Sequence, residues 1–138
     1  MTLFYRFLSR GRGIECKVSD CLTLTELTGI HTDILLSPRF IGPPPLYMFF
    51  DFADDTSVDI SVTELRRAAE TLINGSPKPS IRRVTAIFAK NDVAFKLATE
   101  WQRFIAPVAE VEVFTNRVVA VEWLRTRVAV LHGFQIEL

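Results

Sequence analysis

The sequence predicts an α/β domain with a mixed, mostly parallel sheet of about five strands, an N-terminal hairpin and four helices. Three observations lead there. Two continuous apolar runs, Leu46–Phe52 and Val84–Ala89, read as strands buried on both faces. Amphipathic segments with helix-start signals alternate with them. After the opening hairpin helices and strands alternate, and strands joined through helices run parallel with right-handed crossovers.

Leu3 to Leu8 is an aromatic-rich apolar run followed by Gly11-Arg12-Gly13, and then Ile14, Cys16 and Val18 alternate with Glu15 and Lys17. This pattern predicts a hairpin with one face buried. Thr23-Leu-Thr-Glu26 is a capping box opening a helix with Leu24, Leu27, Ile30, Ile34 and Leu35 inward, ending before Pro38. Ser37-Pro38-Arg39-Phe40-Ile41-Gly42-Pro43-Pro44-Pro45 reads as a loop into the strand at 46–52. Ser61-Val-Thr-Glu64 is a second capping box, with Leu65, Ala68, Ala69, Leu72 and Ile73 on the apolar face and Gly75 just past the end. Gly75 to Ser80 is a second surface loop. After the strand at 84–89, Asn91 or Asp92 caps a helix carrying Ala94, Leu97, Ala98, Trp101 and Ile105. Val111 and Val113 alternate with Glu110 and Glu112, a strand with one more exposed side. Asn116 caps a last helix with Val119, Ala120, Trp123 and Leu124 inward. The chain reads as a single domain over 1–138, with a core of about 1–126. Residues 127–138 extend the last helix, add a strand, or cover a neighbouring subunit.

The 138 residues carry sixteen Lys+Arg against sixteen Asp+Glu. Balanced charge argues against nucleic-acid binding through bulk basic charge, and reduces the scattered Arg6, Arg10, Arg12, Arg82 and Arg83 to rim charges. No apolar stretch reaches ~18 residues, so membrane insertion is not expected. The N-terminal apolar run is too short for a secretory signal. Cys16 and Cys21 are too few for a disulfide framework and are not spaced as a CxxC pair, so they read as thiols in a reducing cytoplasm.

Enzyme signatures such as GxGxxG, a P-loop, GxSxG and HExxH are missing. His31 reads as a helix-surface or boundary residue. One segment concentrates polar groups: Asp51, Asp54, Asp55, Thr56, Ser57, Asp59 and Ser61 leave the carboxyl end of a buried strand and enter a helix. Ligands and switches gather there in open α/β sheets. Three readings apply. Asp, Ser and Thr stabilise turns and helix starts. Asp51, Asp54, Asp55 and Asp59 offer oxygen ligands to a divalent cation, although the spacing fits no EF-hand loop. A phosphate on Ser61 would meet free N–H groups at a helix start, making a switch or partner-docking point. A two-component receiver is set aside: Asp51 and Lys90 end buried strands, but the acidic pair after the first strand is missing.

Residues 22–124 resemble the small bacterial STAS-like proteins labelled SpoIIAA-like or STAS/SEC14 domain. The resemblance rests on ordered pieces: Leu24-Thr-Glu-Leu27, Ser37-Pro38-Arg39-Phe40, Phe49-Phe-Asp-Phe52, Val58-Asp-Ile-Ser61 before Glu64-Leu65-Arg66, Thr85-Ala-Ile-Phe-Ala89 with Asn91-Asp92, and Glu112-Val-Phe-Thr115 into Ala120-Val-Glu-Trp-Leu124. It implies a βα superhelical fold, no enzyme activity and no cofactor. Anti-sigma-factor antagonists, the better-understood relatives, have a phosphorylatable Ser in an Asp-Ser-Ser-Gly turn opening a helix. That carries over to Asp59 and to Ser61 as phosphoacceptor, with Ile60 in place of the first Ser and Val62 in place of the Gly. The resulting expectation is a non-enzymatic regulatory module binding an unknown protein partner. The alternative is a small carrier of lipid or hydrophobic ligands, suggested by the SEC14 label and eleven phenylalanines. An enzyme using Asp51 or Asp59 as acid or base ranks last, since no nucleophile–base pair can be named. Exposed Phe4, Tyr5, Phe7, Phe134 and Ile136 would form a sheet edge or apolar patch needing cover, hence a homodimer.

Overall fold

The computed structural model describes residues 3–31, 45–75 and 82–138. Strands β1 (Leu3–Leu8), β2 (Gly13–Val18), β4 (Tyr47–Phe52), β6 (Arg83–Phe88) and β7 (Ala109–Phe114) form one sheet in the order β1-β2-β4-β6-β7. β1 pairs antiparallel with β2, and the remaining neighbours are parallel. Phe49 lies opposite Ala86 and Phe50 opposite Ile87, at the centre of the sheet. The helices are α1 (Leu24–His31), α2 (Val62–Gly75), α3 (Asp92–Ile105) and α4 (Arg117–His132). The predicted end of α1 before Pro38, its inward Ile34 and Leu35, and most of both predicted loops lie outside the described residues.

Strand side chains alternate between faces, and the two faces carry different cores. Ile14, Cys16, Val18, Met48, Phe50 and Phe52 point to the side covered by α1, α2 and α3. Tyr47, Phe49, Val84 and Ala86 point to the other side, where α4 packs Ala120, Val121, Leu124 and Val128. This corrects the predicted face of α4 in part, since Ala120 and Leu124 are inward as expected. Val119 is exposed and Trp123 only half-buried, while Val121 and Val128 turn inward. A run of four apolar residues at 118–121 makes the helical phase ambiguous, and docking on β6 settles it.

Residues 127–138 resolve into two parts. α4 continues to His132, and Gly133 closes it in the left-handed region at φ 75°, its N–H meeting the carbonyls of Val128 and Ala129. The last residues then fold back onto the same chain. Ile136 is buried, and Phe134 packs on Tyr47 with the Arg12 guanidinium 3.8 Å from its ring centre.

The local signals act as their chemistry dictates. Ser61 and Glu64 form a reciprocal box: the Glu64 N–H donates to Ser61 Oγ at 3.1 Å and the Ser61 N–H to Glu64 Oε1 at 3.0 Å. At α1 the Glu26 N–H donates to Thr23 Oγ1, and the Thr23 hydroxyl donates to the Glu26 carboxylate. Asn91 and Asn116 cap α3 and α4. α2 includes Gly75 as its last residue rather than stopping before it. The hairpin turn occupies Ser9–Gly11, where Ser9, Arg10 and Gly11 all have positive φ.

Two short strands were not predicted. β3 (Cys21–Thr23) and β5 (Ser57–Asp59) pair in parallel as a separate two-stranded sheet. Three residues of the expected polar turn, Ser57–Asp59, are therefore extended, paired backbone. Three residues are too few to show a period, and the partner strand lies far away in sequence.

Candidate functional site

β4 ends at Phe52, and the chain then turns at Ala53, whose carbonyl accepts the Thr56 N–H. Thr56 is buried and its hydroxyl donates to the Val18 carbonyl at 3.1 Å, tying the turn to the end of β2. The Ser57 N–H donates to the Asp20 carbonyl at 2.7 Å. Asn91 works twice: Oδ1 caps α3, and Nδ2 donates to the carbonyls of Asp54 and Thr56 at 3.1 and 2.9 Å. The segment is thus fastened to β2, β3 and α3 through its backbone. That leaves the side chains of Asp54, Asp55, Asp59 and Ser61 exposed, with Val62 and Thr63 beside them. The Glu64 carboxyl is held below the usual range by the Ser61 backbone and side-chain hydrogen bonds.

Asp51 is not part of this group. It faces the α4 side, where Arg117 Nε donates to it at 3.2 Å. Arg117 also lies 3.6 Å from Glu15, which Arg6 Nε reaches at 2.6 Å. Glu15 is only 3% exposed, so its predicted place on the open side of β2 is corrected. A buried carboxylate persists because two guanidinium groups neutralise it. With Asp51 turned away, Asp51, Asp54, Asp55 and Asp59 do not converge. Among the described residues no three His, Cys, Asp or Glu side chains come together as a metal ion would require.

His31 also departs from its expected surface position. It is buried, stacked 6.1 Å from Phe50 and tilted 5.3 Å from Trp101. Its Nδ1 lies 2.8 Å from the Leu27 carbonyl, so Nδ1 carries the proton. Burial pushes its pKa down to about 4, against the Leu27 hydrogen bond, and the Arg83 charge adds to the fall. Small clefts flank it between the sheet and α1–α3, of about 20 and 70 Å³. A third, apolar cleft of about 30 Å³ lies between Leu22, Phe52 and Leu97. Each is sized for a few small atoms rather than an acyl chain.

Cys16 is buried and Cys21 half-buried, both as free thiols. Burial pushes the Cys16 thiol up, and the Glu15 charge adds to this. A nucleophilic thiolate is therefore not available at Cys16. Among the described residues no helix is long and apolar enough to cross a membrane.

Compared with known proteins, the chain matches no family model and no curated protein. The site must be read from its own geometry.

Proposed function

We propose that the chain is a non-enzymatic regulatory module of STAS-like, SpoIIAA-like type, which binds a protein partner through Asp54–Ser61 and the first turn of α2. The observation that carries this reading is the combination of a fixed backbone with exposed side chains at the carboxyl ends of the sheet. Thr56 and Asn91 hold the segment rigid, so a partner pays little ordering entropy on binding it. Asp54, Asp55 and Asp59 present an acidic surface, and Val62, 46% exposed, adds an apolar contact. The partner face is basic with an apolar centre.

Ser61 is the switch within this surface. Its hydroxyl caps α2, and the Glu64 carboxylate already occupies the Ser61 N–H. A phosphate on Ser61 competes with Glu64 for the N–H groups of the first turn and repels its carboxylate. Phosphorylation thereby expels the Glu64 side chain and changes the surface without unfolding α2. The test is partner capture from the native host with wild type, Ser61→Ala, Ser61→Asp and the double variant Asp54→Lys/Asp55→Lys, with mass spectrometry of Ser61. The reading expects a partner lost in the lysine variant and altered between the two Ser61 variants. Identical yields from all four proteins would refute it.

Self-association belongs to the same proposal. The two sheet edges differ: β7 carries Glu110 and Glu112, whereas β1 exposes Phe4, Tyr5 and Phe7 at 56%, 46% and 46%. Charges on an edge discourage pairing and aromatic residues invite it. A second copy adding antiparallel to β1 would extend the sheet and cover these rings.

A further inference from the structure

We propose that the groove beneath residues 134–138 is a docking site for an extended partner segment with apolar residues at alternate positions, and that the chain's own tail is the resident competitor for it. The groove lies at the amino ends of the parallel strands, where Gly13 pairs with Tyr47. It is at the opposite end of the sheet from Asp54–Ser61 and does not depend on the function proposed there. The seated tail shows what the groove accepts. Phe134, Ile136 and Leu138 pack into the cluster of Leu8, Tyr47, Leu124 and Val128, while Gln135 and Glu137 stay exposed. Alternation of this kind is the period of an extended segment with one face inward.

The contacts are of a kind that another segment can reproduce. Side chains hold the backbone of the tail: Arg125 Nη2 donates to the Leu138 carbonyl at 2.9 Å, and the Tyr47 hydroxyl, fixed by Ser9 Oγ at 2.7 Å, takes a hydrogen bond from the Glu137 backbone. Such contacts grip an extended backbone whatever its sequence, and the apolar sites for alternate side chains supply the selectivity. The Arg12 guanidinium, 3.8 Å from the Phe134 ring centre, favours an aromatic residue at the first of these sites. Ile136, buried at 7% exposure, marks the central site as aliphatic.

The tail is also separable from the rest of the fold. Among the described residues, 134–138 make no backbone-to-backbone hydrogen bond, so lifting them breaks no ladder. Gly133, in the left-handed region, closes α4 through its own N–H and needs nothing from the tail to do so. A segment held by a few side chains belongs to the low-stability end of a structure. Once it lifts, a contiguous apolar surface is bared, which a partner segment of the same pattern covers. The tethered tail competes at a high effective concentration, roughly millimolar. A partner therefore displaces it only by matching the apolar sites with higher affinity.

The test is fluorescence anisotropy of a labelled peptide carrying the sequence of Gly133–Leu138, titrated with the whole chain and with its Ile136→Asp variant. A carboxylate at a buried apolar position drives the tail out and leaves the groove open. The peptide should bind Ile136→Asp saturably, and the wild type about tenfold or more weaker, because its own tail fills the groove. The same peptide carrying Ile136→Ala should bind the opened variant about tenfold or more weaker than the parent peptide. Phe134→Ala/Leu138→Ala loosens the tail without burying a charge, and serves if Ile136→Asp does not fold. Absence of saturable binding to the opened variants, equal binding to wild type and variant, or equal binding of the two peptides overturns the proposal. Wild-type protein displacing the labelled peptide from Ile136→Asp as strongly as unlabelled peptide would assign the groove to a second copy, and overturns it too.

Discussion

Substituting Gly13 by Ala tests how tightly the hairpin is set against the centre of the sheet. A Cβ at Gly13 would lie 2.0 Å from Tyr47 Cζ and 2.4 Å from both Cε atoms. The ring cannot simply turn aside. Tyr47 is fully buried, its hydroxyl is hydrogen-bonded to Ser9 Oγ at 2.7 Å, and Phe134 packs on it. Either β2 moves away from β4, breaking a parallel pairing that begins at Gly13–Tyr47, or the ring moves outward and displaces the tail. Overpacking of this kind costs about 1–3 kcal/mol, and losing the Tyr47–Ser9 hydrogen bond adds about 1 kcal/mol. The expected total is about 2–4 kcal/mol, a large part of a typical domain's stability. It corresponds to a fall in melting temperature of roughly 10 °C. Urea unfolding of Gly13→Ala, Tyr47→Leu and the double variant measures it, because Leu lacks the ring atoms that clash. The Ala substitution should cost far less in the Tyr47→Leu background. A loss under about 1 kcal/mol for Gly13→Ala alone, or strictly additive costs, would refute the assignment of Gly13 to close approach rather than turn geometry.

Acid stability should report on His31: its folded pKa of about 4 lies below the ordinary 6.5, so the unfolded chain takes up the proton first and stability falls from about pH 6.5 downward. The loss approaches about 3 kcal/mol near pH 4, and urea midpoints measured against pH should decline less steeply in His31→Phe. The Arg127 hydrogen bond holds the Glu110 carboxyl low, so its stabilisation is present above the ordinary Glu range and fades as pH falls through the folded value. Arg127→Gln should therefore raise the Glu110 pKa in a carboxyl NMR titration, and an unmoved value would count against the pair. Glu15→Ala leaves Arg6 and Arg117 facing each other without their shared acid and should cost about 3 kcal/mol by thermal unfolding, more than Asp51→Ala at the exposed end of the network. Light scattering should give a dimer for the wild type and a monomer for Phe4→Lys/Phe7→Lys, and a monomeric wild type at high concentration excludes pairing through β1.

The features legible in the sequence were those whose causes are local. A capping residue and its partner sit three positions apart, so Ser61 with Glu64 and Asn91 with the Ala94 N–H could be read directly. Near-continuous apolar runs pointed to β4 and β6, because a strand covered on both faces has few polar positions. Asp54, Asp55, Asp59 and Ser61 do share one exposed segment, as their spacing implied. The features that escaped depend on distant partners. Glu15 looked like the open side of a hairpin because Arg117, which shields it, arrives with the last helix. His31 looked like a boundary residue because its burial is made by Phe50 and Trp101. Asp51 was grouped with its sequence neighbours, yet alternation along β4 sends it to the opposite face. A charged residue inside an apolar run was the available signal for Asp51, whereas Glu15 alternates with apolar residues as an open strand face does. Each needed a cation that local spacing could not name.

Pairing of β3 with β5 sets the beginnings of α1 and α2 side by side, and Asn91 brings the beginning of α3 to the same corner. Three electropositive helix termini thus share one small region with Asp20, Glu26, Asp54, Asp55, Asp59, Glu64 and Asp92. The carboxylates there neutralise the helix termini, and under the proposed docking they would also face the partner. Replacing all of them at once would loosen the corner itself, so single charge reversals are the informative way to map who docks there.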